Sequence, residues 1–252
     1  MIFGDIAQMG PLTVLGVVLV VFAGAAIQAT LGMGLGLIVA PVLFFLLPDL
    51  VPALVIMLGM SSAIVGIAGR LEHVAFNEVW IALFGRLFGV AAAAWLLSMV
   101  EATEQFAIVF AIALLITVAI SVANVPIPFS KRTLPVGGFF SGILGTITAV
   151  GSIPMALLYQ NQEPEKARAT MNAFFAIGVL PSLLALWVSG FLGVKHFVYA
   201  ALLMPAVIAG AFLSYRLIGF ADKRYRRLVL GFAAITSAAI LIQALSRVLF
   251  GS

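Results

Sequence analysis

Arg86 is the residue whose position most constrains this chain. It is about the tenth residue of an otherwise apolar segment that runs from Asn77 to near Ser98. A charged side chain at that depth of a membrane helix costs about 2.5–3.5 kcal/mol on insertion scales, and such residues turn toward the bundle interior and serve function. A guanidinium can hold an oxyanion through two parallel hydrogen bonds. Two readings of Arg86 stand: a ligand for an anion, or a structural cation bonded to open carbonyls of a broken helix.

The stretch Gln28 to Pro41, "QATLGMGLGLIVAP", is the second pattern with chemical content. Gly32, Gly34 and Gly36 fall at every second position after the polar Gln28 and Thr30, inside a long apolar run. Lipid cannot satisfy open peptide groups, so irregular backbone at membrane depth is tolerated only inside protein or beside a watery cavity. Glycine permits a reversal and close approach of chain to ligand, and half-helix ends present free N–H groups that suit an anion. Small residues that let helices pack closely are the plainer explanation of any single glycine.

The pattern occurs twice. Gly137–Met155, "GGFFSGILGTITAVGSIPM", lies over the first glycine-broken stretch from Gly24 at an offset of 113, which pairs Leu31 with Leu144, Gly32 with Gly145 and Pro41 with Pro154. Three further apolar segments follow each copy, and "GRLFGV" of the first half has a loose counterpart in "PAVIAG" of the second. The predicted substrate shell is therefore Gln28, Thr30, Gly32 and Gly34 from the first break, Gly145, Thr146, Thr148 and Ser152 from the second, with Arg86 and Asn172. Ser61, Ser62, Thr170 and Asn172 also suit ordinary helix-to-helix hydrogen bonds.

The elements that must hold these residues follow from composition. The chain is 64% hydrophobic and 9% charged, with a mean hydropathy of +1.25. A soluble domain of this size cannot hide that much apolar surface. Apolar segments run approximately over 12–30, 35–47, 51–69, 78–98, 105–123, 134–147, 149–159, 169–190, 197–217 and 228–249, several of them near the roughly 20 residues that cross a bilayer. The fold class is an all-α polytopic membrane protein. The net charge of +4 comes from loop residues, a topology signal, so nucleic acid is excluded as a partner. The absence of cysteine removes thiol catalysis, disulfides and thiolate metal sites. No Lys or Arg precedes the first apolar run, and no small-residue cleavage pattern follows it, so no removable signal peptide is expected.

Loop charges choose between two topologies. If each glycine-broken region crosses once, Arg70, Lys131, Arg132, Lys195 and Arg247 oppose Lys166, Arg168, Arg216, Lys223, Arg224, Arg226 and Arg227, which is no bias. If each folds back as a hairpin, Lys195 and Arg247 alone oppose the other ten. The hairpin topology is the one expected. It divides the chain into residues 1–130 and 131–252, two inverted repeats that each consist of a glycine-broken hairpin and three transmembrane helices. Secondary transporters reuse this plan, with the binding site near midplane where the broken helices meet. The basic loops then face the cytoplasm, with Lys223, Arg224, Arg226 and Arg227 as an anchor near anionic lipid. Both termini lie on the opposite side.

An intramembrane serine hydrolase is the rival chemistry, since "FFSG" at Phe139–Gly142 brushes such a motif. Its serine has no base in reach, because His73 and His196 fall at segment ends. "GMGLG" has neither the spacing nor the preceding strand of a dinucleotide fingerprint. A membrane scaffold or assembly factor is the remaining alternative.

"GAAIQATLGMGLGLIVAPVL" and "SGILGTITAVGSIPMALL", each opening one of two similar halves, resemble the sulfite exporter TauE/SafE family, as does "EKARATMNAF" after the second copy. The resemblance covers almost the whole chain. It implies a non-enzymatic cell (inner) membrane transporter of a small anion such as sulfite, thiosulfate or an organosulfonate, with no cofactor and no metal. The glycine cluster usual in the family's second half is thinned here to Gly145 and Gly151, with Thr146 and Thr148 between. The partners expected are the anion and the lipid bilayer; nothing in the sequence sets an oligomeric state. No charged residue but Arg86 falls in the middle of a segment, so export driven by membrane potential, without an obligatory proton, is the coupling expected.

Overall fold

The computed structural model describes residues 10–100, 103–123, 127–217, 234–235 and 238–246. Its long helices are α1 (Pro11–Leu31), α2 (Leu35–Leu46), α3 (Ala53–Ile67), α4 (Phe76–Ser98), α5 (Thr103–Ala123), α6 (Thr133–Thr148), α7 (Ser152–Tyr159), α8 (Pro164–Val188) and α9 (Val194–Leu217). Residues 238–246 are also helical. Each of these helices covers an apolar segment expected from the sequence. The basic run at Lys223–Arg227, Arg247, and Asp5, Glu101 and Asp222 lie outside the described residues.

Pro11–Leu31, Phe76–Ser98, Glu104–Ala123, Pro164–Val188 and Val194–Ser214 are long and apolar enough to cross a membrane. Their outward faces carry Trp80, Phe84, Leu87 and Trp95 on α4, and Leu180, Leu184 and Trp187 on α8. So much exposed apolar surface suits lipid rather than water.

Both glycine-rich regions fold back. α1 ends at Gly32, whose φ of 74° is left-handed, and Gly34 follows at φ 120° before α2 begins. The chain then returns along α1, so that a Cβ on Gly24 would stand 2.9 Å from Val39 Cγ2. α6 ends one residue before Ala149, which is left-handed at φ 62°, and α7 returns until Leu158 lies against Gly137. The equivalent left-handed caps are thus Gly32 and Ala149, 117 positions apart, where motif matching gave 113. α6 runs one turn past the glycine that aligns with Gly32.

The two hairpins enter from opposite ends of the bundle. Asp49, at the base of the first, lies 3.5 Å from Lys195 at the start of α9. Tyr159, at the base of the second, donates a 2.8 Å hydrogen bond to Glu78 at the start of α4, and Lys166 at the start of α8 pairs with the same carboxylate. α8 has 25 residues, about 37 Å at the helical rise, and leads directly into the turn before α9. Its length separates the two bases.

Each hairpin packs on a long helix from the other half of the chain: α6 along α4, and α1 along α9. The α4–α6 contact is backbone on backbone. Gly85 and Gly89 meet the carbonyls of Pro135 and Phe139, while Gly138 and Gly142 meet those of Ala82 and Arg86. A Cβ on Gly85 or Gly138 would lie 1.8 or 1.9 Å from the opposing oxygen. Two facing Gly-xxx-Gly motifs produce this approach, as expected where lipid supplies no hydrophobic drive and close packing must. Gly210 makes the matching contact of α9 with the Phe22 carbonyl of α1, which gives "PAVIAG" the packing role of "GRLFGV". Gly85→Ala or Gly138→Ala is therefore expected to destabilise the protein by about 1–3 kcal/mol, the usual cost of overpacking. Gly16→Ala, whose Cβ meets nothing within 4 Å, is expected to leave stability unchanged; thermal unfolding in detergent compares the three.

Candidate functional site

The hairpin tips meet. Gly36, in the first turn of α2, lies so close to Ala149 that a Cβ on it would stand 2.1 Å from the Ala149 carbonyl oxygen. Beside this contact is a cavity of about 40 Å³, lined by Gln28, Leu35, Gly36, Gly145, Ala149, Gly151 and Ser152 of the hairpins and by Val55, Ile56, Gly59, Arg86, Phe175 and Val179 of α3, α4 and α8. That volume suits about three waters or one small oxyanion. The first turns of α2 and α7 both border it. Their capping residues are Gly34 and Gly151, which have no side chain to bond the first N–H groups, so two partial positive charges converge there.

Side chains close the breaks. Gln28 Oε1 accepts the Leu35 N–H at 3.3 Å and so spans the gap from α1 to α2. In the second hairpin Thr148 Oγ1 accepts the Val150 N–H at 3.1 Å and donates to the Leu144 carbonyl at 2.6 Å.

Arg86 is 2% exposed and held without a carboxylate. Its Nε donates to the Gly178 carbonyl at 2.7 Å, Nη1 to Ser141 Oγ at 2.8 Å and Nη2 to Ser182 Oγ at 3.3 Å. Thr146 Oγ1 in turn donates to Ser182 Oγ at 3.0 Å. The guanidinium carbon lies 5.2 Å from the Phe174 ring centre and 5.7 Å from that of Phe175, within cation–π range. Gly178 makes room for it, since a Cβ there would sit 2.7 Å from Arg86 Cδ. A guanidinium has five N–H groups, and these bonds use three. Nη2 faces Gly145, whose added Cβ would lie 3.4 Å away.

Of the sequence-predicted shell, Gln28, Arg86, Gly145 and Ser152 line the cavity, and Thr146 reaches it through Ser182. The others stand elsewhere. Thr30 bonds the Ala26 carbonyl of its own helix at 2.6 Å. Gly32 packs against Arg168 and Met171, and Gly34 against Ile27. Thr148 is spent on the turn. Asn172 is fully buried against Gly66, with no hydrogen-bond partner for either amide atom. Ser61 and Ser62 bond the carbonyls of Met57 and Ala25, and Thr170 accepts the Ala75 N–H. His73 Nε2 lies 3.2 Å from Glu165, and His196 Nε2 3.1 Å from the Asp49 carbonyl; both sit at helix starts, far from Ser141. Ser141 and Ser182, which hold Arg86, are polar residues of the site that sequence reasoning did not select, and the apolar wall of Leu35, Val55, Ile56, Phe175 and Val179 was not selected either.

The model of the Sulfite exporter TauE/SafE family matches residues 17–240, a range that takes in both hairpin tips and every residue of the cavity. The chain belongs to that family. Its members are membrane transporters of small anions, not enzymes, so this is a multi-pass membrane protein. A relative in Cupriavidus necator, described as a probable sulfite/organosulfonate exporter TauE, is 26% identical over 247 residues, which are 93% of this chain and 96% of that protein. No solved structure matches the chain.

The hydroxyl network around Arg86 makes a prediction of its own. Ser182 serves two donors, so Ser182→Ala and Thr146→Val are expected to be non-additive. A double-mutant cycle on unfolding free energy should return a coupling of about 0.5–3 kcal/mol, as for residues that share one network. Additive losses would mean that the two hydroxyls act separately.

Proposed function

We propose that the protein exports a small sulfur-containing anion (sulfite, thiosulfate or an organosulfonate), bound at the cavity between the two hairpin tips. The observation that carries this reading is the buried Arg86, a cation with no carboxylate partner among the described residues, at the wall of a cavity flanked by two helix N-termini. Two free N–H groups of Arg86, the helix N-termini at Gly36 and Ser152, and the Gln28 amide supply donors. Leu35, Val55, Ile56, Phe175 and Val179 supply an apolar wall for an organic substituent. Residues 1–130 and 131–252 act as two inverted repeats, a reading supported by hairpin bases at opposite ends and by the exchange of packing partners between halves. The Glu78 side faces the cytoplasm of a cell whose inner membrane holds the protein, a reading supported by the excess of Lys and Arg in loops on that side.

Arg86→Ala is expected to lower anion affinity about 10- to 150-fold, the equivalent of 1.5–3 kcal/mol for a hydrogen bond to a charged group. Arg86→Lys is expected not to rescue it, because an ammonium cannot reach Gly178, Ser141 and Ser182 with one planar fork. Saturable uptake of labelled sulfite or sulfonate into proteoliposomes measures both. Wild-type flux in the Ala variant would make Arg86 structural.

The cavity lining contains no Asp, Glu or His, the groups on which proton relays run. A negative interior contributes about 2.3 kcal/mol per elementary charge per 100 mV toward anion export. Flux of a divalent anion such as sulfite or thiosulfate in proteoliposomes under a potassium diffusion potential is expected to follow the imposed voltage. Flux that ignores voltage and follows a pH gradient would contradict this coupling and direct attention to Glu78.

A further inference from the structure

The charge of Arg86 is unanswered in the structure. Its three bonded partners are a peptide carbonyl and two hydroxyls, all neutral, and among the described residues no carboxylate forms an ion pair with it. Glu78, the acidic residue that precedes it on α4, is taken by Lys166 and Tyr159. Asp49 is taken by Lys195 at the far end. The rings of Phe174 and Phe175 are attractive but carry no net charge.

Burying an unpaired ion is among the most expensive arrangements a protein can adopt, and groups in that position are paired or neutralised. Guanidinium does not lose its proton in proteins, so neutralisation is closed to Arg86 and pairing is left. Here the first turns of α2 and α7 add to the positive potential rather than offset it. A transported anion answers the charge only while it is bound. A carrier that empties its site must then change conformation with a bare cation at its barrier.

We propose that the cavity beside Arg86 holds a small inorganic monovalent anion, such as chloride, whenever the transported anion is absent, and that the protein is therefore an anion exchanger. The proposal rests on the reading of this cavity as the substrate site. The resident anion sits against the two free N–H groups of Arg86 and the helix N-termini at Gly36 and Ser152. It needs no more room than the roughly 40 Å³ available. An arriving sulfur oxyanion or sulfonate displaces it, because it offers several acceptor oxygens to the same donors. The barrier is then crossed in both directions with Arg86 paired.

The test is a titration of chloride into gluconate at constant ionic strength, with the melting temperature of the purified protein as readout. Wild-type protein should melt at a temperature that rises with chloride and saturates, as for a ligand that binds the folded state. Arg86→Gln should melt at the same temperature in both salts. No rise in wild type, or an equal rise in both proteins, overturns the proposal. If Arg86→Gln does not fold, the chloride NMR line width with wild-type protein serves instead: broadening that sulfite removes supports the site, and no broadening overturns it. In proteoliposomes loaded with labelled sulfite, external chloride should speed efflux several-fold over gluconate. Equal efflux in both salts refutes exchange while sulfite transport stands. A chloride shift that needs Arg86, in a protein that moves no sulfur anion, supports the resident anion and removes the assigned substrate.

Discussion

Lipid offers no partner to an open peptide group, so two helices that stop at membrane depth must be closed by the protein itself. The rest of the structure follows from how this is done. Gln28 reaches across the first break to the N–H of Leu35, and Thr148 takes the N–H of Val150 in the second. The first turns of α2 and α7 border the space between the tips. The constraint that forbids open backbone in lipid thereby places two helix N-termini beside a cavity. The site is where the fold has polar capacity left over.

Glycine does two separate jobs in reaching that arrangement. At Gly32 and Gly34 it supplies left-handed backbone, which costs other residues strain. At Gly36, Gly85, Gly89, Gly138 and Gly142 the backbone is helical, and what matters is the missing Cβ. Those four α4 and α6 positions flank Arg86 and Ser141 in sequence. Bringing the two helix backbones into contact therefore fixes the guanidinium next to the serine hydroxyl at 2.8 Å. Gly178 extends the same logic to α8, where its carbonyl and its absent side chain together receive Nε.

Much of this was legible before any coordinates. Helix positions were, because apolar runs of membrane length have few alternatives, and so were the hairpins, because loop charges are biased to one side only if both regions fold back. Arg86 stood out since a central cation is too expensive to be incidental. The details that failed to show depend on helix phase and partner. Gly145 aligns with Gly32, yet the second reversal falls at Ala149, because α6 continues for one more turn and Thr148 stabilises a left-handed alanine there. Thr30 and Asn172 are polar and near the breaks, but their sides of α1 and α8 face neighbouring helices rather than the cavity. Ser141 and Ser182 gave only a faint signal, Ser141 from its place inside "GFFSG" and Ser182 from following Pro181. A lone serine in an apolar helix is commonly satisfied by its own backbone. Their role exists only once α4, α6 and α8 are brought together.

The two ends of the bundle are fastened unequally. At the Asp49 end the ion pair with Lys195 is 3.5 Å long, with side chains 74% and 39% exposed; pairs of that kind contribute about 0–1 kcal/mol. His196 adds a hydrogen bond to the Asp49 carbonyl. At the other end Glu78 is 18% exposed and receives both Lys166 and Tyr159, so one carboxylate joins α4, α7 and α8, the three elements that carry Arg86, Ser152 and Phe175. Its hydrogen bonds are charge-assisted and partly shielded from water, and each is stronger than its exposed counterpart. Separating the second hairpin from α4 would also part the facing glycines. Separating the first hairpin from α9 breaks the weaker ion pair, the His196 hydrogen bond, the glycine contact at Gly210 and the packing of Val17, Val21 and Ala25 in one core with Tyr199, Leu203 and Val207. The cavity thus lies between two hairpins fastened by different means, the second by a shielded carboxylate and facing glycines, the first mainly by apolar packing.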